Sequence, residues 1–259
     1  MRLTDKQWEQ IQGLVPDGPV RSDGKGRPWR DKREVLEGIL WIVKTGARWR
    51  DLPKEYPPYQ TCHRRFQQWV EDGTFDKLIE ALAKDLQERG GIDMSECFID
   101  GTFSLAKKGG FFVGKTKRGK GSKIMAITDA GGVVLSVRIE SASPHEVTLV
   151  EKTLDDRFVE EMPERLIGDK AYDSDELDER LADMGIEMIA PHRTNRVRQK
   201  TQDGRKLRRY KRRWKVERFF AWLFNYRRCI VRHENKEQNF KAIVLLACMM
   251  IFLKSYFHL

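Results

Sequence analysis

Residues 96–103 read ECFIDGTF, and the spacing of this stretch decides what kind of fold follows it. Upstream, apolar residues recur every three to four positions; from Ser95 the period drops to two. Alternation sets Cys97, Ile99 and Gly101 on one face of a strand and Asp100 on the other. An aspartate within a strand is disfavoured, and near a core it is costly unless a cation or hydrogen-bond donors meet it. Outward from here, Lys123 to Thr128 reads as a second strand and Val133 to Ser141 as a third, joined through Asp129-Ala-Gly-Gly132 as a hairpin. A helix from His145 to Arg157, a strand Arg165 to Asp169, a helix Ser174 to Met184, a strand Glu187 to Pro191 and a helix Arg205 to Arg228 complete the series. The order βββαβαβα is that of an α/β, ribonuclease H-like mixed sheet flanked by helices.

Two further acids stand out against this frame. Asp169 ends the strand Leu166-Ile-Gly-Asp169, and Glu217 lies in RKLRRYKRRWKVERFFAWLFNYRR, residues 205–228. With Glu217 at zero and about 100° per residue, Arg213 falls near −40°, Tyr210 and Arg228 near +20° and Phe224 near −20°. Phe219, Trp222, Leu223 and Tyr226 fall on the opposite, packing side, between roughly 140° and 240°. A lone glutamate among arginines is ordinarily an ion pair worth a few tenths of a kcal/mol, and a lone aspartate at a strand end is ordinarily a cap. First strand, fourth strand and last helix are neighbours in such a sheet, however, so Asp100, Asp169 and Glu217 are expected to converge. Three carboxylates repel unless divalent cations neutralise them. Magnesium, with manganese as a substitute, suits oxygen ligands completed by substrate phosphates, and two such ions about 3.5–4 Å apart serve phosphodiester displacement.

The first 92 residues read as a small, all-helical unit. Leu3-Thr4-Asp5-Lys6-Gln7-Trp8 has the form of a capping box with a hydrophobic staple, opening a helix to Val15. Beyond a Pro/Gly-rich loop from Pro16 to Pro28, Asp31 and Glu34 cap a helix carrying Val35, Leu36, Ile39, Leu40 and Val43 and stopped at Gly46. Thr61 to Trp69 places Phe66 and Trp69 inward and Arg64, Arg65, Gln67 and Gln68 outward, side chains that match base edges and phosphates. Thr74 to Arg89 makes a fourth helix. The expected division is therefore 1–92, a helix-turn-helix-like DNA-binding domain, and 93–259, the catalytic domain.

Charge supports a polyanionic partner. The 259 residues carry a formal +10, with 49 Lys and Arg against 39 Asp and Glu, and the excess is gathered: Arg193 to Arg218 is densely basic and Lys107 to Lys123 contains no acid. Cys62, Cys97, Cys229 and Cys248 are scattered, which excludes a CxxC metal knuckle and leaves a reduced, cytoplasmic protein as the expectation. The N-terminus has no signal-peptide pattern. Ala242 to Leu253 is apolar but shorter than the roughly 20 residues that cross a bilayer, so it reads as a buried helix and no membrane is expected.

The motifs together resemble one family. Phe98-Ile-Asp-Gly-Thr102, Lys120-Gly-Ser-Lys-Ile124, Ser143-Pro-His-Glu146, Gly168-Asp-Lys-Ala-Tyr-Asp-Ser174 and Val216-Glu-Arg-Phe-Phe-Ala-Trp222 are similar to those of bacterial insertion-sequence transposases of the DDE class, in the IS-five family of the wider IS-four group. Tyr210, Arg213 and Glu217 meet that family's Y-x2-R-x3-E signature, whereas the usual lysine seven residues after the glutamate is replaced by Phe224. Residues 170–216 leave no room for a large insertion domain. The resemblance implies a metal-binding triad of Asp100, Asp169 and Glu217, supported by Tyr210 and Arg213. Lys170, Arg218, Arg228, Lys120, Lys123, Arg64 and Arg65 join them as candidate DNA contacts, and His145 is a secondary candidate. It further implies binding of terminal inverted repeats, cleavage at element ends, joining of the 3′-OH to target DNA, and a homodimer or higher oligomer on double-stranded DNA beside the nucleoid. Two other readings use the same residues: a transposase-derived DNA-binding regulator without turnover, and a ribonuclease H-like nuclease.

Overall fold

The computed structural model describes residues 2–18, 28–197, 199, 201–202 and 204–256. Most of the Pro/Gly-rich loop between Pro16 and Pro28 lies outside them. Helix α1 (Asp5–Ile11) opens on the expected capping box, with the Thr4 hydroxyl accepting from Gln7 N at 3.2 Å and the Gln7 side chain accepting from Thr4 N at 3.0 Å. It stops at Ile11, short of Val15. Helix α2 (Lys32–Thr45) is capped by Asp31 and closed by Gly46 at φ 70°, a left-handed backbone that glycine adopts without a Cβ penalty. Helices α3 (Tyr59–Glu71) and α4 (Thr74–Glu88) follow.

Seven strands form one mixed sheet: β1 (Cys97–Ala106), β2 (Gly114–Thr116), β3 (Gly119–Thr128), β4 (Val134–Ser141), β5 (Arg165–Ile167), β6 (Glu187–Ile189) and β7 (Val231–Arg232). The path is β2-β3-β1-β5-β6, with β4 on β3 and β7 on the end of β1. β1, β3 and β4 make the expected antiparallel meander, and β5 and β6 extend it in parallel. Cys97, Phe98 and Ile99 are all buried, so β1 is covered on both faces, as a central strand between helical layers is. β2 and β7 were not expected, being too short to show a period. The helix expected from His145 to Arg157 is instead a 3₁₀ turn, Glu146–Leu149, running into α5 (Val150–Asp155); α6 (Asp175–Asp183) follows β5.

The segment 205–228 is not one helix. Lys206–Arg212 is a 3₁₀ turn, α7 covers Trp214–Leu223, and α8 is a single turn, Arg227–Ile230. In the first piece cations sit three and four residues apart, where like charges oppose an α-helix; Glu96 instead holds Arg209 and Arg212, and Glu187 holds Lys206. The break after Leu223 comes at Tyr226, whose extended backbone (φ −95°, ψ 92°) carries a buried ring. The packing face of α7 is Val216, Phe219, Phe220 and Leu223, whereas Trp222 is exposed.

Helix α9 (Glu237–Tyr256) is apolar on every side, and each residue from Ala242 to Leu253 is buried, as expected of a helix enclosed by others. It lies against α4, α2, α7 and β4, and Lys241 pairs with Asp76 of α4 at 2.8 Å. One continuous core therefore runs from the N-terminal helices into the sheet. Among the described residues no helix is long and apolar enough to cross a membrane.

Candidate active site

The parallel register of β1 with β5 sets Cys97 beside Leu166 and Phe98 beside Ile167, where the ladder ends two residues before Asp100 and Asp169; the Asp169 charge is near enough to act on the Asp100 carboxyl. Asp169 caps the 3₁₀ turn Lys170–Tyr172, its Oδ1 accepting from Ala171 N at 2.7 Å. The Asp100 Oδ1 accepts from Gly101 N at 2.8 Å. Burial pushes the Asp100 carboxyl up to about 6, the Glu146 and Asp169 charges add to this, and the Gly101 N–H and Arg213 oppose it.

Helix α7 rests on β1 and β3 and delivers the remaining groups. Arg213, at its N-cap, donates from Nη1 to Asp100 Oδ2 at 2.7 Å and from Nη2 to Glu217 Oε1 one turn on. Burial works against the guanidinium charge, but Asp100 and Glu217 outweigh it and hold it above its usual value. The Tyr210 ring lies 5.7 Å from that guanidinium. Tyr210, Arg213 and Glu217 thus lie together although Tyr210 belongs to the 3₁₀ turn rather than to α7, with Glu217 half open to solvent.

A fourth acid, Glu146, belongs to the same cluster and was not singled out from the sequence. Its Oε2 accepts from the Tyr172 hydroxyl at 3.2 Å and its Oε1 pairs with Lys123 Nζ at 3.3 Å. It lies against Gly101: a Cβ there would come within 2.8 Å of the Met125 sulfur and 2.9 Å of Glu146 Oε1. The tether joins the strand of Asp100 to the turn of Asp169. Only the family-like run Ser143-Pro-His-Glu146 pointed towards it.

The other candidates divide. Lys120, Lys170 and Arg64 are exposed. Three do not sit as expected. Arg65 is buried, bonded to the Pro16 carbonyl at 3.1 Å and stacked 5.0 and 5.2 Å from the Trp29 and Trp69 rings. Arg228 leaves the Glu217 face because α7 ends first; it is buried against Glu234 at 2.8 Å and the Ala47 carbonyl at 3.0 Å. Lys123 turns to Glu146 and the Pro144 carbonyl rather than outward. Arg218 lies 4.7 Å from both the Trp214 and Trp222 rings and donates to the Gly131 carbonyl. His145 is exposed at the N-cap of its 3₁₀ turn, where its carbonyl accepts from Thr148.

The donor set is chemically that of a hard divalent cation, all carboxylate oxygen, with Asp100 desolvated beside like charges. Among the described residues no three such side chains stand ready-arranged around an ion, and Arg213 holds two of the acids. The fit therefore requires that guanidinium to yield.

Residues 3–79 match the family model for transposases of the IS4/5 family, and residues 92–252 match the transposase DDE domain. The chain is 33% identical over 129 residues to an uncharacterized protein of Sinorhizobium fredii, taking in 50% of this chain and 96% of that one. It is 32% identical over 139 residues to a transposase for insertion sequence element IS402 of Burkholderia cepacia, taking in 51% of this chain and 62% of that one. The solved synaptic complex of piggyBac transposase with hairpin DNA has a similar fold, with a TM-score of 0.56 at 11% identity over 98% of this chain and 73% of that one. With the DDE match alone spanning more than half of its length, the chain belongs to the DDE transposases of the IS4/5 family.

Proposed function

We propose that this transposase cuts DNA at the ends of its own element and joins the freed 3′-OH to target DNA, with Asp100, Asp169 and Glu217 holding magnesium, or manganese in its place. The observation that carries this reading is the single guanidinium of Arg213 bridging Asp100 and Glu217, beside a strand pair whose register leads to Asp169. That bridge sets Asp100 and Glu217, from separate elements, around one positive charge, which supports the reading. Divalent cations bound there would activate the attacking oxygen and stabilise the departing one.

The chain's own residues supply the rest. The Ala171 N–H fixes the Asp169 carboxylate, and Arg213, once displaced from the acids, is placed to meet a phosphate. Lys170 and Lys120 offer exposed ammonium groups to the backbone. Residues 1–92 form the end-recognition part in this reading, and 93–259 the catalytic part. A cavity of about 700 Å³ between Trp49 and α3, lined by Arg48, Arg50, Gln60, His63, Arg64 and Gln67 among others, has the side chains that read base edges and phosphates. Pairing of two ends by a homodimer or larger assembly completes the proposal.

The test is strand cleavage of duplexes carrying the element's terminal inverted repeats in magnesium, wild type against Asp100→Ala. Nicks bearing a 3′-OH from the wild type alone are expected. Equal cutting by Asp100→Ala would overturn the assignment.

A further inference from the structure

The β1–β2 connection carries two aromatic rings in solvent: Phe111 is 70% exposed and Phe112 43%. Phe112 has φ 55°, the one left-handed non-glycine backbone among the described residues, a conformation that persists only where the surroundings impose it. Here they do. Arg232, itself 1% exposed, donates to the Phe111 carbonyl at 2.7 Å and the Phe112 carbonyl at 3.2 Å, and the buried Ser122 hydroxyl donates to the Phe112 carbonyl at 2.6 Å. Gly110 is packed so closely on Asn235 that a Cβ would come within 2.4 Å of its carbonyl oxygen. The rings are thus displayed on a backbone clamped from beneath.

Lys107, Lys108, Lys115, Lys117, Arg118 and Lys120 flank the rings along the chain, all exposed. We propose that Phe111 and Phe112 are a rigid wedge that enters a base step of bound duplex DNA beside the cutting centre while these cations hold the flanking phosphates. This rests on the reading of the chain as an enzyme that cuts DNA. Ser122, which anchors the Phe112 carbonyl, pairs with Ser104, four residues along β1 from Asp100, so the row anchoring the wedge lies about 14 Å along the strand from the Asp100 row, the length of about four base pairs. Charge selects the partner: a two-fold contact of this surface with a second copy would set cations against cations.

The experiment uses the full chain on terminal-repeat duplexes with 2-aminopurine placed singly at successive positions beside the cut. Wild type is expected to raise fluorescence at one step, Phe111→Trp to keep that rise, and Phe111→Ala to lose it and bind the intact duplex about tenfold more weakly. A mismatch at that step, which is already unstacked, is expected to restore most of the lost affinity. The Phe111 carbonyl rather than its ring is tied down, so Phe111→Ala retains its circular dichroism. Binding without unstacking, or identical traces for wild type and Phe111→Ala, overturns the wedge alone. A change in sedimentation of Phe111→Ala without DNA assigns the rings to a contact between copies and overturns it too. Cutting by Asp100→Ala would instead sink the underlying assignment.

Discussion

Arg213 and Asp100, 113 residues apart, are joined by a 2.7 Å ion pair between the N-terminus of α7 and the centre of β1, and the same guanidinium reaches Glu217. Two of the acids of this site, Asp100 and Glu217, are thus already held by a cation of the protein's own. Their behaviour without a divalent ion should betray it.

Asp100 has a folded-state value of about 6 against an ordinary 3.8. Between these values the folded chain binds more protons than the unfolded one, so the stability linked to this carboxyl is fully present at low pH and lost as pH rises through about 6. In chelator, Asp100→Asn is expected to exceed wild type near neutrality by ~1–2 kcal/mol, the loss of the Arg213 pair limiting the gain. The advantage should fade towards pH ~4. Urea unfolding at the two pH values checks this; a gap independent of pH would refute it.

Gly101 and Glu146 are in van der Waals contact, and the contact leaves no room for a methyl group. Gly101→Ala is expected to destabilise by ~1 kcal/mol, because the Met125 and Glu146 side-chain ends it meets must shift, and trimming Glu146 to Ala in the same chain to recover part of it. Glu146→Gln, which keeps the shape, should lower cleavage about 10- to 100-fold with little change in melting temperature, as loss of a positioning partner does. Unaltered cleavage by Glu146→Gln would show the contact to be packing only.

The N-terminal helices do not own a complete core, because the buried face of α4 lies against α9. Residues 1–92 expressed alone are expected to show helical circular dichroism but poorly dispersed amide resonances and no sharp melting transition. A well-dispersed spectrum with cooperative unfolding would mean that α9 only covers a finished unit.

The sheet was legible because strands such as 97–106 and 119–128 are long enough to show their period and the turn from β3 to β4 carries Asp129-Ala-Gly-Gly132. The pairing of Arg213 with Glu217 follows from one helical turn. What stayed hidden depended on distant partners. Arg65, Arg228 and Lys123 read as outward cations, yet long side chains turn inward when rings, carbonyls or an acid await them. Arg228 needed Glu234 and the end of α2; Lys123 needed Glu146. Glu146 in turn meets Tyr172 and Gly101, which no local spacing reveals. A 3₁₀ turn and an α-helix differ too little in period for residues 205–228 to betray their breaks.

Whether Glu217 truly joins Asp100 and Asp169 is tested most directly by titrating Mn²⁺, followed by its electron paramagnetic resonance, into the full chain on terminal-repeat DNA. Asp100→Asn, Asp169→Asn and Glu217→Gln are each expected to weaken binding by at least about tenfold while leaving DNA affinity unchanged. Mn²⁺ held by Glu217→Gln as tightly as by wild type would contradict the account.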